Sequence, residues 1–510
     1  MVAAAALVVA PCAAQSAGQG TAQALPQGAT QSGPAGAATT QAGASAVYSI
    51  VSVDFAITGR PLAYVLRDLL DIPTGKSFPD KASLEAYLAD RRQVLVNQRA
   101  LQSAAVSYDL GQQENGKIPV LVHFQVKESW NLFALPEPLY STSTGFDLSF
   151  KGRDYDFAGS LQTLMLNFDY TYDQYDRQGL GGLASFSVPF LLGPYEASVG
   201  ANTSLTAYSD GRPTNSSSTL SFSLTDRRRG FPLTLSFSQG LTTNPDAVST
   251  DIDPYYLTDT ASYGSSFTFF DDARGIGPLV YSPSVSLSQM WRFEAPVRSD
   301  RQGPVTTFSH SLTWGRVDWV GEMEKGVQLS ISNSEGLDWW GFSTSIALDS
   351  SAAYYRPLVG PFAFKTRLQL FDQVTGAQRT NIGSNMRGII DGRINGVEGA
   401  FLNVDLPIKL FDFPTHYIFP TNLLDFQAQI DPFIDAGEVL PNYGDHYSSQ
   451  TGWLSCGLEG YAFPFRARSF IIRASLGFDV LNYLRTQSLT AETQDGYKPY
   501  EISFGVGLLY

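Results

Sequence analysis

Short runs in which every second residue is apolar recur from Trp130 to the last residue. Leu402, Val404, Leu406, Ile408 and Leu410 share one parity, and Asn403, Asp405, Pro407 and Lys409 the other. Phe362, Phe364, Leu368 and Leu370 alternate with Ala363, Lys365, Arg367 and Gln369. Ile472, Ala474, Leu476, Phe478 and Val480 alternate with Arg473, Ser475, Gly477 and Asp479. The same rule holds for Leu220–Leu224, Phe231–Phe237, Val327–Ile331 and Ile502–Tyr510. A period of two sends successive side chains to opposite faces, so each run predicts a strand with one dry and one wet face. No amphipathic helix is predicted beyond Trp130.

The stretch from Tyr48 to Glu128 reads differently. It opens on a strand carrying Ile50, Val51, Val53 and Phe55, then places Leu62, Val65, Leu66, Leu69 and Leu70 on one helical face, with Gly75 after it. Asp80 is the expected cap of a second helix bearing Leu84, Tyr87, Leu88 and Leu95. Strands Ala104–Leu110 and Pro119–Val126 follow, which makes residues 47–128 a small α/β domain with one core.

Residues 129–510 then run without a low-complexity break or helical interlude. A membrane-spanning antiparallel β-barrel accounts for this better than a soluble sandwich, because closure removes strand edges and lipid requires every backbone polar group to be paired. About 16 strands of about 10 residues would suffice, and the alternation supplies about 17 or 18 candidate runs. The fold class expected is therefore mainly β, a barrel of about 16 strands preceded by one small α/β domain.

Composition narrows the functional classes. Charged residues make up 16% of the 510, below the roughly 25% of ordinary soluble domains, and no stretch is long and apolar enough for a spanning helix. A net charge of -14 argues against nucleic acid, whose phosphates need Lys/Arg patches. Val2–Pro11 form an uncharged apolar run before Cys12, Ala13 and Ala14, so residues 1–14 are expected to be an export signal that lacks its basic start. Pro11 stands where lipidation of Cys12 would want a small residue. Residues 15–46, almost all Ala, Gln, Gly, Ser, Thr and Pro, form a disordered linker.

Enzyme signatures are scarce. The four histidines, His123, His310, His416 and His446, lie far apart, and no His-Glu-x-x-His, Gly-x-Ser-x-Gly or phosphate-cradling Gly-Lys motif occurs. No catalytic, metal or cofactor residue is assigned. His123 is expected to be a structural residue, and the inward carboxylates a solvated face or a cation-favouring lining.

Three C-terminal features are sharper. Asn385-Met386-Arg387-Gly388-Ile389 forms a loop before the strand Gly399–Leu410. In the next strand Leu424, Phe426, Ala428 and Ile430 face outward, so Asp425, Gln427, Gln429, Asp431, Phe433 and Asp435 face inward, with Gly437 beyond. An inward carboxylate wants a cation, and an Arg on an infolded loop supplies a planar, bidentate one. The chain ends Ser503-Phe504-Gly505-Val506-Gly507-Leu508-Leu509-Tyr510, apolar-out and aromatic at the last position.

Together these residues resemble the BamA/TamA superfamily of outer-membrane insertases and transporters. By that resemblance Arg387 and Gly388 match the family's Val-Arg-Gly-aromatic lumen loop, with Met386 and Ile389 in place of the flanking Val and aromatic. Phe433, Asp435 and Gly437 match its Phe-x-Asp-x-Gly strand, and Ser503, Gly505, Leu508 and Tyr510 its terminal barrel signal. Residues 47–128 resemble a single POTRA domain. The resemblance implies a location in the bacterial outer membrane with the POTRA domain in the periplasm. It also implies a weak seam between a strand around 144–152 and 500–510, admission of client strands there by edge pairing, and no cofactor. Outer-membrane lipid and unfolded outer-membrane or secreted clients are the implied partners, with periplasmic chaperones and accessory lipoproteins as further candidates and no nucleic acid. A porin-like solute channel and a two-partner secretion transporter are the alternatives.

Overall fold

A computed structural model describes residues 47–506 apart from 115, 142–144, 173–177, 210–213, 229, 244–252, 271–275, 299–300, 302, 415–424, 449 and 467–470. The expected export signal, the linker, Leu508 and Tyr510 lie outside the described residues.

The first part is β1 (Val47–Thr58), α1 (Ala63–Leu70), β2 (Ser77–Phe78), α2 (Lys81–Asn97), β3 (Leu101–Leu110) and β4 (Lys117–Glu128), in sheet order β2-β1-β4-β3. Asp80 caps α2 by accepting from the Ser83 N–H at 2.7 Å, as its position before the apolar stripe predicts. Leu66 and Leu70 of α1 and Leu84, Leu88 and Leu95 of α2 bury their side chains against Ile50, Val120, Val122 and Phe124 of the sheet. The two-residue β2 is not legible as alternation because it is too short to show a period.

Among the described residues twenty strand segments follow, from β5 (Leu132–Ser141) to β24 (Tyr500–Val506), ordered in one closed ring with β24 beside β5. Two staves are each broken once. β12 (Tyr255–Ser265) and β13 (Phe267–Phe270) share the partner β14 (Leu279–Trp291), while β19 (Glu398–Asp405) and β20 (Ile408–Phe413) share β21 (Phe426–Leu440). The twenty segments therefore form eighteen staves, so the ring follows the number of alternating runs rather than the leaner expectation of sixteen. Pro407 sits in the gap between β19 and β20, where it cannot donate, although its carbonyl accepts from the Ala363 N–H at 2.8 Å.

Two further expectations are corrected. The barrel begins with β5, and residues 145–154 are its second strand, β6 (Gly145–Asp154). Pro136 and Pro138 in β5 disguise it as a turn in the sequence. A helix also occurs after Trp130: α3 (Val480–Thr486) follows β23 (Ile472–Asp479), and Asp479 starts it by accepting from the Asn482 N–H at 2.9 Å.

Side-chain parity is as the alternation predicts. On β21, Gln427, Gln429, Asp431, Phe433 and Asp435 are buried inside the ring, whereas Ile434 is 57% exposed outside it. Phe168, Leu220, Leu235 and Ile331 are likewise exposed outward. No helix among the described residues is long and apolar enough to cross a membrane.

The inner wall is divided chemically. One row of cross-strand neighbours reads Ser198, Ser223, Ser236, Ser262, Ser286 and Thr307, all uncharged hydroxyls. The opposing sector, β18 (Ala363–Thr375) to β23, carries a cluster of inward charges and the loop described below.

The α/β unit abuts one end of the barrel. Arg60, just after β1, holds Glu128 at the end of β4 and Asp154 at the end of β6 through five hydrogen bonds of 2.7–3.0 Å. At the same end the hairpin of β15 (Pro304–Val320) and β16 (Met323–Asp338) folds across the bore. Its turn residue Glu322 accepts through its backbone carbonyl from Gln429 on β21 at 2.8 Å, and Trp319 meets the Phe463 ring. Gly315 (φ +112°) and Gly326 (φ +142°) permit the bend, since a Cβ at either would lie 2.1 Å from a carbonyl of the other strand. Arg99, between α2 and β3, enters this hairpin, pairing with Glu322 at 2.9 Å and lying 4.5 Å over the Trp319 ring.

Candidate functional site

The segment joining β18 to β19, residues 376–397, turns back into the barrel. Backbone hydrogen bonds in both directions between Arg379 and Gly396, each 3.0 Å, close its neck. Ile382, Met386, Ile389 and Ile394 are buried against Phe371 of β18, Phe401 of β19 and Val439 of β21. Met386 and Ile389 are thus among the apolar anchors of the loop. Burial of four large side chains accounts for its holding a position that Arg387 alone would not secure.

Arg387 is the ionic centre. Its backbone N–H and Nε both donate to Asp435 Oδ2 at 2.9 Å, and Nη2 donates to Asp435 Oδ1 at 2.6 Å. This is the planar, two-pronged grip that lysine cannot reproduce. Nη1 reaches Asp405 on β19 and Glu459, 3.1 Å away, on β22 (Gly452–Pro464). The guanidinium lies 3.9 Å over the Phe433 ring. Glu459 also accepts from Arg473 of β23 and, at 2.6 Å, from the Tyr461 hydroxyl. Two arginines thus serve three carboxylates, of which Asp435 and Glu459 are closed to solvent.

Gly388 follows with φ +82°, and its N–H donates to Glu501 Oε2 on β24 at 3.1 Å. A Cβ there would lie 2.6 Å from the Phe478 nitrogen, so only glycine fits against β23. Gly437 is required by the same crowding, since its Cβ would meet Met386 Sδ at 2.7 Å and the Phe401 ring at 2.8 Å. Arg393, later in the loop, pairs with Asp479 at 2.8 Å and Asp495 at 3.1 Å. Below the loop a cavity of about 330 Å³ is lined by Lys365, Arg367, Asp405, Glu459 and Arg473 among others.

The structure therefore brings together Arg387, Gly388, Phe433, Asp435 and Gly437. Ser503 and Gly505 lie apart from them on β24, opposite Ser475 and Arg473 of β23. Sequence reasoning missed Asp405, Glu459, Arg473, Gly477 and Glu501 as members of the site. Their inward parity was readable, but nothing in the sequence tells which inward residues of separate strands face one loop.

No protein-family model matches the chain, and no curated protein matches it in sequence. Among solved structures it is similar to CdiB from Acinetobacter baumannii, with a TM-score of 0.52 and 13% identity over 91% of this chain and 74% of that one. CdiB from Escherichia coli gives a TM-score of 0.43 and 11% identity over 93% and 92% of the two chains. BamA from Haemophilus ducreyi, in a structure lacking POTRA domains 1–3, gives 0.38 and 12% over 90% and 84%. The first of these establishes a shared barrel fold.

Proposed function

We propose that this chain is an outer-membrane insertion or translocation factor of the BamA/TamA type, which admits client strands at the seam between β5 and β24. The α/β unit is its POTRA domain, set in the periplasm to receive clients, and the exposed outward side chains of the staves face lipid. The observation that carries this reading is the loop held inside the barrel by Arg387 and Asp435, whose next residue grips Glu501 on the strand that borders the seam. The lock and the seam share one strand, so loosening one loosens the other. Folding of the client supplies the driving free energy, and strand addition supplies the recognition.

A secretion transporter is the second reading. The fold shared with CdiB favours it, as does the neutral hydroxyl wall, which would let a polypeptide pass without meeting fixed charges. Depleting the protein and cataloguing what disappears from the outer membrane separates the readings: loss of several barrels supports insertion, and loss of one secreted product supports secretion. A large, steady conductance in planar bilayers, with no effect on activity of deleting residues 48–128, would overturn both in favour of a passive channel.

A further inference from the structure

The two edges that meet at the seam are chemically unequal. The Tyr155 N–H donates to the Asn131 carbonyl at 3.0 Å, and the register continues as Leu132 opposite Asp154 and Phe133 opposite Arg153. Odd positions of β5 therefore bond to β6, and even positions turn their backbone groups toward β24. The Trp130 N–H agrees, pointing away from β6 to the Arg466 carbonyl at 3.4 Å. The even positions of β5 include Pro136 and Pro138, opposite Phe150 and Leu148, so the seam-facing edge of β5 lacks two N–H donors. Its ladder with β6 is untouched, because neither proline stands at a position that donates there.

The other edge is complete. The Asp479 N–H donates to the Pro499 carbonyl at 2.8 Å, and Glu501 pairs with Gly477, so odd positions of β24 bond to β23. Tyr500, Ile502, Phe504 and Val506 face β5, and each brings both a donor and an acceptor. β24 is also tethered inside the barrel, through Glu501 to the Gly388 N–H.

We infer that the last strand, not the first, is the template on which an incoming client strand is built. This rests on the seam-insertion reading above and adds a direction to it. The client strand runs antiparallel to β24, in the place and direction of β5, and makes an unbroken ladder. On β5 the same strand would find two gaps. Proline on an exposed edge is a common device against unwanted pairing, and here it also keeps the barrel's own seam weak enough to part.

The test uses the full chain in proteoliposomes, in a Cys12→Ser, Cys456→Ser background, with single cysteines introduced as Ile502→Cys, Phe504→Cys, Leu132→Cys or Ala134→Cys. The probe is an eight-stranded outer-membrane barrel delivered from urea with one cysteine in a terminal strand. Disulfide adducts at Ile502→Cys and Phe504→Cys should exceed those at Leu132→Cys and Ala134→Cys by roughly ten-fold, the effect of two missing ladder bonds. Adducts equal at both edges, or richer on β5, would overturn the inference while leaving seam insertion standing. No adduct at either edge would overturn seam insertion itself. Pro136→Ala with Pro138→Ala should raise adducts on β5, and an unchanged ratio would remove the prolines from the account.

Discussion

Gly388 of the infolded loop and Gly477 of β23 pass backbone against backbone, so near that a Cβ on Gly477 would sit 2.6 Å from the Gly388 Cα. The contact is reciprocal, and each glycine makes room for the other. Gly477→Ala should therefore push the loop off β23 and break the Gly388 to Glu501 hydrogen bond. The expected result is a barrel that still migrates as heat-modifiable on a gel but whose loop becomes susceptible to limited proteolysis; continued protection of the loop would refute it.

Arg387→Ala leaves Asp435, which has no solvent exposure, beside Asp405 and Glu459 with a single remaining arginine. Breaking a buried pair on one side costs about 3–5 kcal/mol, more than removing both partners. Client assembly should fall sharply in Arg387→Ala, fall almost as far in Arg387→Lys, and recover in part when Asp435→Asn is added. A double variant no better than the single one would mean that the pair is not the source of the loss.

Arg99 and Glu322 are 5% and 7% exposed at the mouth, and they join the α/β unit to the hairpin that crosses it. Arg99→Ala should free that hairpin. The measurable consequence is faster proteolytic cleavage at the hairpin turn around Glu322 and larger, noisier conductance in planar bilayers, with the barrel's heat-modifiability intact. Unchanged conductance would show that the hairpin does not obstruct the bore.

Asp156 lies in the turn after β6, near Arg60 and accepting from the Leu161 N–H at 2.8 Å, where burial pushes its carboxyl up to about 6 from an ordinary value near 3.8. A folded-state pKa above the unfolded one stabilises the fold fully below pH 3.8, and the contribution is lost as pH rises through 6. Asp156→Asn should thus raise the temperature of heat modification at pH 7–8 and leave it unchanged at pH 4. Equal effects at both pH values would contradict this origin.

The barrel, its inward parity and the Arg387 to Asp435 pair were legible because strand alternation is local and the pair sits in two short motifs. Other members of the site were not. Glu459 and Arg473 belong to β22 and β23, and their meeting with Arg387 depends on how far neighbouring staves are sheared, which no single strand encodes. β5 was hidden by its prolines, since Pro136 and Pro138 mark a turn in an isolated sequence and remove two edge donors in a ring. The crossing hairpin was hidden for a similar reason. Gly315 and Gly326 are unremarkable alone and become a hinge only when the register sets each beside the opposite strand.

On the secretion reading proposed above, the hydroxyl rows of the neutral wall would govern movement through the interior. A segment sliding over Ser198, Ser223, Ser236 and Ser262 exchanges one weak partner for the next and is never pinned by a fixed charge. Friction along that side would then be set by the turnover of hydrating water and be nearly blind to cargo sequence. Discrimination would then fall to two thresholds, the mouth where Arg99 holds Glu322 and the margin formed by β24.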